Sequence, residues 1–317
     1  MLPAHMPDTT ITQKPSHSTA AIAAQPSYVV LPQQSQNSRP YTTVLDFLVA
    51  RFSQIPQTVW LQRMAQGKVH WLNGELITAT TAYRQTQKVC YYREVEQETK
   101  VPFTEQILHQ DPDKIIVYKP HFLPVTPGGN YVNECLVHRL RIRTGIDTIA
   151  PAHRLDKDTA GIMLMTVNPE TRHAYHQLFL DGKIKKTYQA IANVPPNINL
   201  NPDSHWTVKN RLVRGTPSFL MQIVEGQANS HSEIRLLDVK NEVALFELEP
   251  VTGKTHQLRV HMHSLGFPLL NDRFYPKLLA RTEENFAKPL KLLAQRLQFV
   301  DPITQQVNDW QCDEFKL

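Results

Sequence analysis

The chain has 317 residues, 41% of them hydrophobic and 20% charged, which provides the apolar material for a core and excludes wholesale disorder or a collagen-like repeat. Lysine and arginine total 34 against 29 acidic residues, and the resulting net charge of +5 suits a phosphate-bearing partner but equally an ordinary solvated surface. Cys90, Cys135 and Cys312 are widely separated and form no Cys-x-x-Cys pair, so neither a disulfide framework nor a zinc ribbon is expected. A reducing cytoplasm is the expected compartment. No apolar run approaches the ~20 residues of a membrane helix, and the Ala20–Ala24 patch lacks the surroundings of a cleavable signal.

Residues 1–40 are rich in Pro, Gln, Ser and Thr without apolar periodicity, which predicts a disordered leader. Thr43 with Asp46 makes a capping pair ahead of Leu45, Leu48 and Phe52 on one helical face. A second short helix is expected with Thr58 as cap, Trp60, Leu61 and Met64 as buried face, and Gly67 as terminator. Lys68 to Ile77 reads as a hairpin turning at Asn73-Gly74. These elements define a module over 41–93, and the polar stretch 94–112 reads as a linker.

A larger domain is expected over 113–317. Ile115–Tyr118 is a strand, followed by a Pro/Gly-rich loop through Gly129. Ile162–Val167 is a second apolar run, and Asn168-Pro169 opens a helix that Gly182 closes. Thr187–Val194, Glu233–Val239 and Val243–Leu248 alternate as strands. Their irregular spacing, with few helices between, argues for an α+β fold built on a mixed or antiparallel sheet rather than a doubly wound one. No internal repeat and no Gly-rich phosphate loop are found.

Three clusters carry chemistry. The first, His153-Arg-Leu-Asp-Lys-Asp158, packs two carboxylates, two fixed cations and a histidine into six residues, although a polar turn with local ion pairs has the same composition. The second runs from Pro250 to His263. Leu258, Met262 and Leu265 fit one helix face, ended by Gly266 and Pro268, with His256, Arg259 and His263 on another. Val260 interrupts that pattern, and a strand remains open. Three histidines, His256, His261 and His263, within eight residues suggest a metal, but without a neighbouring Cys or acidic ligand a structural role is favoured. The third, Lys183-Ile-Lys-Lys-Thr-Tyr188, is a basic turn entering a strand. It suits phosphate contact plus base stacking, although a strand tyrosine alone is more often core.

Together these segments resemble the RluA family of RNA pseudouridine synthases. The matching stretches occur in family order: Lys119-Pro120 with Pro124-Val125 and Pro127; His153-Arg154-Leu155-Asp156 with Thr159 and Gly161; Lys186-Thr187-Tyr188; and Thr252 to His261, continuing to Gly266, Pro268, Asp272 and Tyr275. The resemblance covers about 113–305, and the 41–93 module resembles an S4-type RNA-binding domain. It implies isomerisation of uridine in structured RNA to pseudouridine, with no cofactor, no metal and no membrane partner, by a monomer. Asp156 matches the catalytic carboxylate, either nucleophile or base. Arg259 matches its charge partner, and Tyr188 the aromatic that stacks on the target base. Arg154 matches a residue that fills the space of the everted base or contacts RNA, while His153, Lys183, Lys185, Lys186 and Lys254 are expected on the RNA backbone.

Two positions depart from the family pattern. Lys254 stands where arginine is usual, keeping the charge but losing the bidentate fork. Gln295 stands where histidine is usual. Large-subunit ribosomal RNA is the expected target and transfer RNA the alternative. A catalytically silent RNA-binding or assembly protein on the same scaffold is the competing class.

Overall fold

The computed structural model describes residues 21–33, 41–196, 198, 200–201, 203–280 and 282–317. These described residues divide into two compact units, one formed by those up to residue 99 with 129–133 and the other by residues 100–128 with those from 134 onward.

In the first unit, β1 (Ala21–Ile22) pairs with β5 (Glu94–Val95), and β2 (Ser27–Val30) begins a three-stranded antiparallel sheet with β4 (Lys88–Tyr91) and β3 (Val69–Trp71) in the order β2-β4-β3. Helices α1 (Val44–Arg51) and α2 (Gln57–Ala65) contribute Val44, Leu45, Phe47, Leu48, Trp60 and Met64 to a core shared with Leu31, Val69, Trp71, Ile77 and Val89. Thr43 caps α1 as expected: its hydroxyl accepts from the Asp46 amide while the Asp46 carboxylate accepts from the Thr43 amide.

Four expectations are corrected here. Part of the assigned leader is ordered strand: Leu31 is fully buried and β2 is hydrogen bonded to β4, because the short apolar run from Tyr28 to Leu31 is masked when composition is averaged over forty polar residues. Residues 1–20 and 34–40 of that leader lie outside the described residues. Helix α2 starts behind Pro56 rather than Thr58, and the residues turned inward are Trp60, Arg63 and Met64, spaced three and four apart. Leu61 is exposed instead, while Arg63 lies over the Trp60 ring. The 94–112 stretch is not a solvated linker. It contains β5, and Glu98 is buried, accepting from the amides of Val132 and Asn133 at 2.6 and 2.8 Å.

The second unit is built on one mixed sheet of eleven strands: β6 (Gln106–Gln110), β7 (Lys114–Lys119), β8 (Ala150–Pro151), β9 (Ala160–Thr166), β10 (Lys185–Asn193), β11 (His205–Arg214), β12 (Met221–Val224), β13 (Ser230–Lys240), β14 (Val243–Pro250), β15 (Leu292–Val300) and β16 (Val307–Gln311). The main path runs β12-β11-β13-β14-β10-β15-β9-β7-β6, with β16 beside β15 and β8 beside β9. All pairings are antiparallel except β15 with β9, which makes the fold the expected mixed α+β type. Helices α3 (Leu136–Thr144), α4 (Arg172–Leu180) and α5 (Gln257–Ser264) complete the unit.

Helix α4 starts at Arg172, not at Asn168-Pro169. The Asn168 side chain closes a local turn onto the Glu170 amide and donates to Asp113, so it does not cap the helix. At the parallel junction, Gly161 has φ +126°, and a Cβ there would stand 2.2 Å from the Ala294 carbonyl oxygen. Only glycine permits this contact of β9 with β15.

Candidate active site

The turn between β8 and β9 carries Asp156, and it is tied down from several sides. The Thr159 amide donates to the Asp156 carbonyl at 3.1 Å. Beneath the turn, the fully buried Lys119 donates to the carbonyls of Pro120, Leu123 and Lys157 at 2.9, 2.8 and 3.1 Å. Burial pulls the Lys119 ammonium down to about 7, against the opposing charges of Asp158 and Asp156. His121 Nδ1 donates to the Asp158 carbonyl at 2.6 Å. The stretch Lys119-Pro120 and the turn at 156 are therefore one structural assembly, although 37 residues separate them in the chain.

Above the turn lies a cleft of about 670 Å³, walled by Arg154, Asp156, Lys186, Tyr188, Lys254 and Arg259 among others. Tyr188 reaches it from β10 at a register shift: Thr187 faces Arg296 on β15, but Tyr188 faces Ala294, so Gln295 is the bulged residue. Bulges re-aim neighbouring side chains. The departure at Gln295 thus falls opposite the site aromatic, where the Gln295 amide donates to the Cys312 carbonyl at 3.3 Å. Burial, with the Asp156 charge second, pushes the Tyr188 phenol well above its ordinary value. It stays protonated and presents a neutral ring and hydroxyl.

Arg259 projects from α5 and is 2% exposed. Its Nε and Nη2 donate to the two oxygens of Asp272 at 2.8 and 2.5 Å, while Nη1 lies 3.8 Å from Asp156 Oδ2. The guanidinium also lies 4.6 Å from the Phe274 ring centroid and 5.5 Å from that of Tyr275. Desolvation works against the charge, but Asp272 and then Asp156 outweigh it and raise the Arg259 pKa. The tight partner of Arg259 is therefore Asp272, and the contact with Asp156 is looser. Asp272 belongs to the matched segment, but a single carboxylate in a loop without periodicity gave no sign of this role. Its Oδ1 also accepts from the amides of Phe274 and Tyr275 at 2.8 and 3.2 Å, fixing the turn after α5.

The loop entering α5 is folded around Gln257. The Gln257 side-chain oxygen accepts from the Thr252 hydroxyl at 2.7 Å and the Lys254 amide at 3.0 Å, and its nitrogen donates to the His231 carbonyl and Ser232 hydroxyl at 2.9 and 2.8 Å. Helix α5 is buried from Gln257 through Met262, so it has no polar outer face bearing His256, Arg259 and His263, as the sequence suggested. His256 is the left-handed cap residue, Arg259 points inward, and His261 is enclosed by Ser232, Ser230 and Asn210 at 3.0–3.1 Å. Burial pulls the His261 imidazole down to about 4.

The structure sorts the expected RNA contacts into two groups. Arg154, Lys186 and Lys254 line the cleft. Lys183 and Lys185 do not: Lys183, in the turn before β10, pairs with Asp181 at 3.0 Å, and Lys185 pairs with Glu249 at 2.9 Å, because successive residues of a strand alternate faces and Lys186 takes the inner one. His153 lines the cleft, but its Nε2 accepts from the Leu164 amide at 3.1 Å and its ring stacks on Phe179 at 4.6 Å. Burial pulls its pKa down to about 3, so it offers no cation to a phosphate.

The cleft joins the partly exposed Asp156 and the buried Arg259 to the strand tyrosine Tyr188, and the mixed α+β sheet that carries them is the fold of the pseudouridine synthases. Residues 113–264 match the RNA pseudouridylate synthase family. Over 205 residues the chain is 31% identical to the dual-specificity RNA pseudouridine synthase RluA of Haemophilus influenzae, covering 62% of this chain and 88% of that protein. Over 181 residues it is 35% identical to ribosomal large subunit pseudouridine synthase D of Borreliella burgdorferi, covering 54% and 55%. The chain spans 60% and 64% of the length of two plant proteins it matches, RNA pseudouridine synthase 7 of Arabidopsis thaliana and of Oryza sativa. The solved structure of human RNA pseudouridylate synthase domain containing 1 shares the fold, with a TM-score of 0.55 at 22% identity over 69% of this chain and 86% of that one. The chain belongs to the RluA family of RNA pseudouridine synthases.

Proposed function

We propose that this chain isomerises a uridine of large-subunit ribosomal RNA to pseudouridine, with Asp156 as the reacting carboxylate. The observation carrying this reading is the placement of Asp156 Oδ2 3.8 Å from Arg259 Nη1 in a cleft that Tyr188 also walls. In the reaction the bond from uracil N1 to the ribose C1′ breaks, the base turns over, C5 bonds to C1′, and the C5 proton is lost while N1 gains one. An everted nucleoside must reach the cleft. Arg154 at its rim suits the vacated stacking position, and Lys186 and Lys254 suit the flanking phosphates. The neutral Tyr188 ring suits stacking on the uracil while it is detached.

The first unit suits an S4-like RNA-binding module, with its two helices packed in one core with a small sheet. Such a module in front of the catalytic unit, together with a relative named for the large ribosomal subunit, is what favours ribosomal over transfer RNA. Purified protein incubated with transcripts carrying C5-tritiated uridine tests the reaction: tritium should appear in water from a large-subunit ribosomal fragment. Release from transfer RNA alone reassigns the substrate. No release from either, with RNA still bound, supports a silent RNA-binding protein.

A further inference from the structure

His256 has no part in the chemistry described so far, yet it occupies a costly position. It caps α5 with a left-handed backbone at φ +52°, and its side chain is 8% exposed. A non-glycine residue keeps that conformation only where its surroundings hold it. Two contacts do so. His256 Nε2 lies 3.8 Å from Asp156 Oδ2, and Nδ1 lies 2.9 Å from the Tyr275 hydroxyl. The same hydroxyl accepts from the Met221 amide at 2.8 Å. Tyr275 is 7% exposed, and a buried phenol needs an acceptor for its proton. Among the described contacts that acceptor is His256 Nδ1, so the neutral ring carries its proton on Nε2, the nitrogen facing Asp156.

Arg259 cannot orient Asp156 alone. Its Nε and Nη2 are held by Asp272, and the nitrogen that approaches the Asp156 carboxylate is Nη1, at 3.8 Å, and one contact leaves a carboxylate free to pivot. His256 and Arg259 approach the same oxygen, Oδ2, from two directions. We propose that His256 is a positioning residue: its Nε2–H, directed by Tyr275, and Nη1 of Arg259 together hold Asp156 Oδ2, so that Oδ1 faces the nucleoside. A closure of about 1 Å brings either contact to hydrogen-bond length. The charged groups around the imidazole are Asp156 and Asp158 from the β8–β9 turn, Arg259 from α5, and Asp272 from the following turn, with the Phe274 ring at 5.4 Å. Burial dominates over these and keeps the His256 pKa below its ordinary value, so the imidazole is neutral at working pH.

This inference rests on Asp156 being the reacting carboxylate, and the test separates the two. Single-turnover tritium release is measured on the transcript that the wild-type chain converts, for wild type, H256A, H256Q, Y275F and D156N, with RNA affinity and melting temperature measured alongside. H256A should be about tenfold slower with its RNA affinity within about threefold, because the carboxylate has lost a donor that orients it but no RNA contact. H256Q, whose amide N–H reaches the Nε2 position, should recover most of the rate, and Y275F should fall between. A wild-type rate in H256A, or equal slowing in H256A and H256Q, overturns the proposal. If H256A does not fold, Y275F decides: slowing at unchanged RNA affinity supports the proposal, and a wild-type rate overturns it. Turnover by D156N instead defeats the underlying assignment of Asp156, whatever the His256 variants do.

Discussion

Replacing Asp272 by Asn is the sharpest test of how the site is held together. Asp272 and Arg259 side chains are 1% and 2% exposed, and two charge-assisted hydrogen bonds of 2.8 and 2.5 Å join them. Removing the charge of one partner in a buried pair costs about 3–5 kcal/mol, because the other is left buried without compensation. Asparagine can still present an oxygen at the Oδ1 position, where Arg259 Nη2 and the amides of Phe274 and Tyr275 donate. It places an NH2 group against Arg259 Nε–H, however, so the lower end of the range, about 3 kcal/mol, applies. For a domain of this size that is a fall of roughly 6–12 °C in the melting temperature. The freed guanidinium should also swing toward Asp156, so single-turnover tritium release should fall at least about tenfold. The double variant D272N/R259M removes the stranded charge and should recover stability relative to D272N without recovering activity. If D272N melts within about 1 °C of wild type and turns over normally, Asp272 does not set the geometry of Arg259.

Three further outcomes follow from other parts of the second unit. Gly161→Ala should cost more than about 4 kcal/mol or prevent folding, since the new Cβ would meet Ala294 backbone atoms at 2.2–2.7 Å with φ at +126°; a variant that melts like wild type would mean that β9 and β15 separate readily. Burial holds His121, His153 and His261 at about 4, 3 and 4, so all three are neutral in the folded chain but take up protons below about 6.5 once unfolded. The stability they support is complete above about pH 6.5 and is lost as pH falls toward 4, at up to roughly 4 kcal/mol per pH unit if all three titrate together. Urea midpoints at pH 7.5 and 5.5 should differ clearly, and equal midpoints would contradict their burial. Lys186→Ala should weaken RNA binding and lower the salt slope by about one, whereas Lys183→Ala and Lys185→Ala should change it little; equal effects from all three would place RNA on the outer face of β10.

The catalytic half of the molecule is legible in the sequence because its chemistry is local. His153 to Asp158 and Thr252 to Arg259 are contiguous stretches, and folding brings Asp156 and Arg259 to one cleft. A continuous apolar run likewise marks β9, and alternation in the sequence marks β10, β13 and β14. What was not legible depends on long-range pairing. Strand β11 reads as polar because only Val208 and Leu212 of its ten residues are buried. Helix α3 is obscured by Arg139, Arg141 and Arg143, and Arg139 turns back onto Glu105 and the carbonyls of Val101 and Phe103. Helix α5 presented the opposite difficulty: its polar residues suggested an outer face, yet Arg259 and His261 are buried because Asp272 and the Ser230–Ser232–Asn210 group await them. The outward Lys185 shows the same limit, since a pair of lysines does not reveal which one a strand turns inward.

The central claim is that the carboxylate at 156 makes pseudouridine in a defined RNA. Pseudouridines can be mapped across the total RNA of the source organism, in the parent strain, in a strain lacking this chain, and in that strain complemented with wild type or with D156N. The expected result is a site in large-subunit ribosomal RNA that disappears on deletion, returns with the wild-type chain, and stays absent with D156N protein present at equal abundance. Restoration of that site by D156N, or a pseudouridine map unchanged by deletion, would contradict the account.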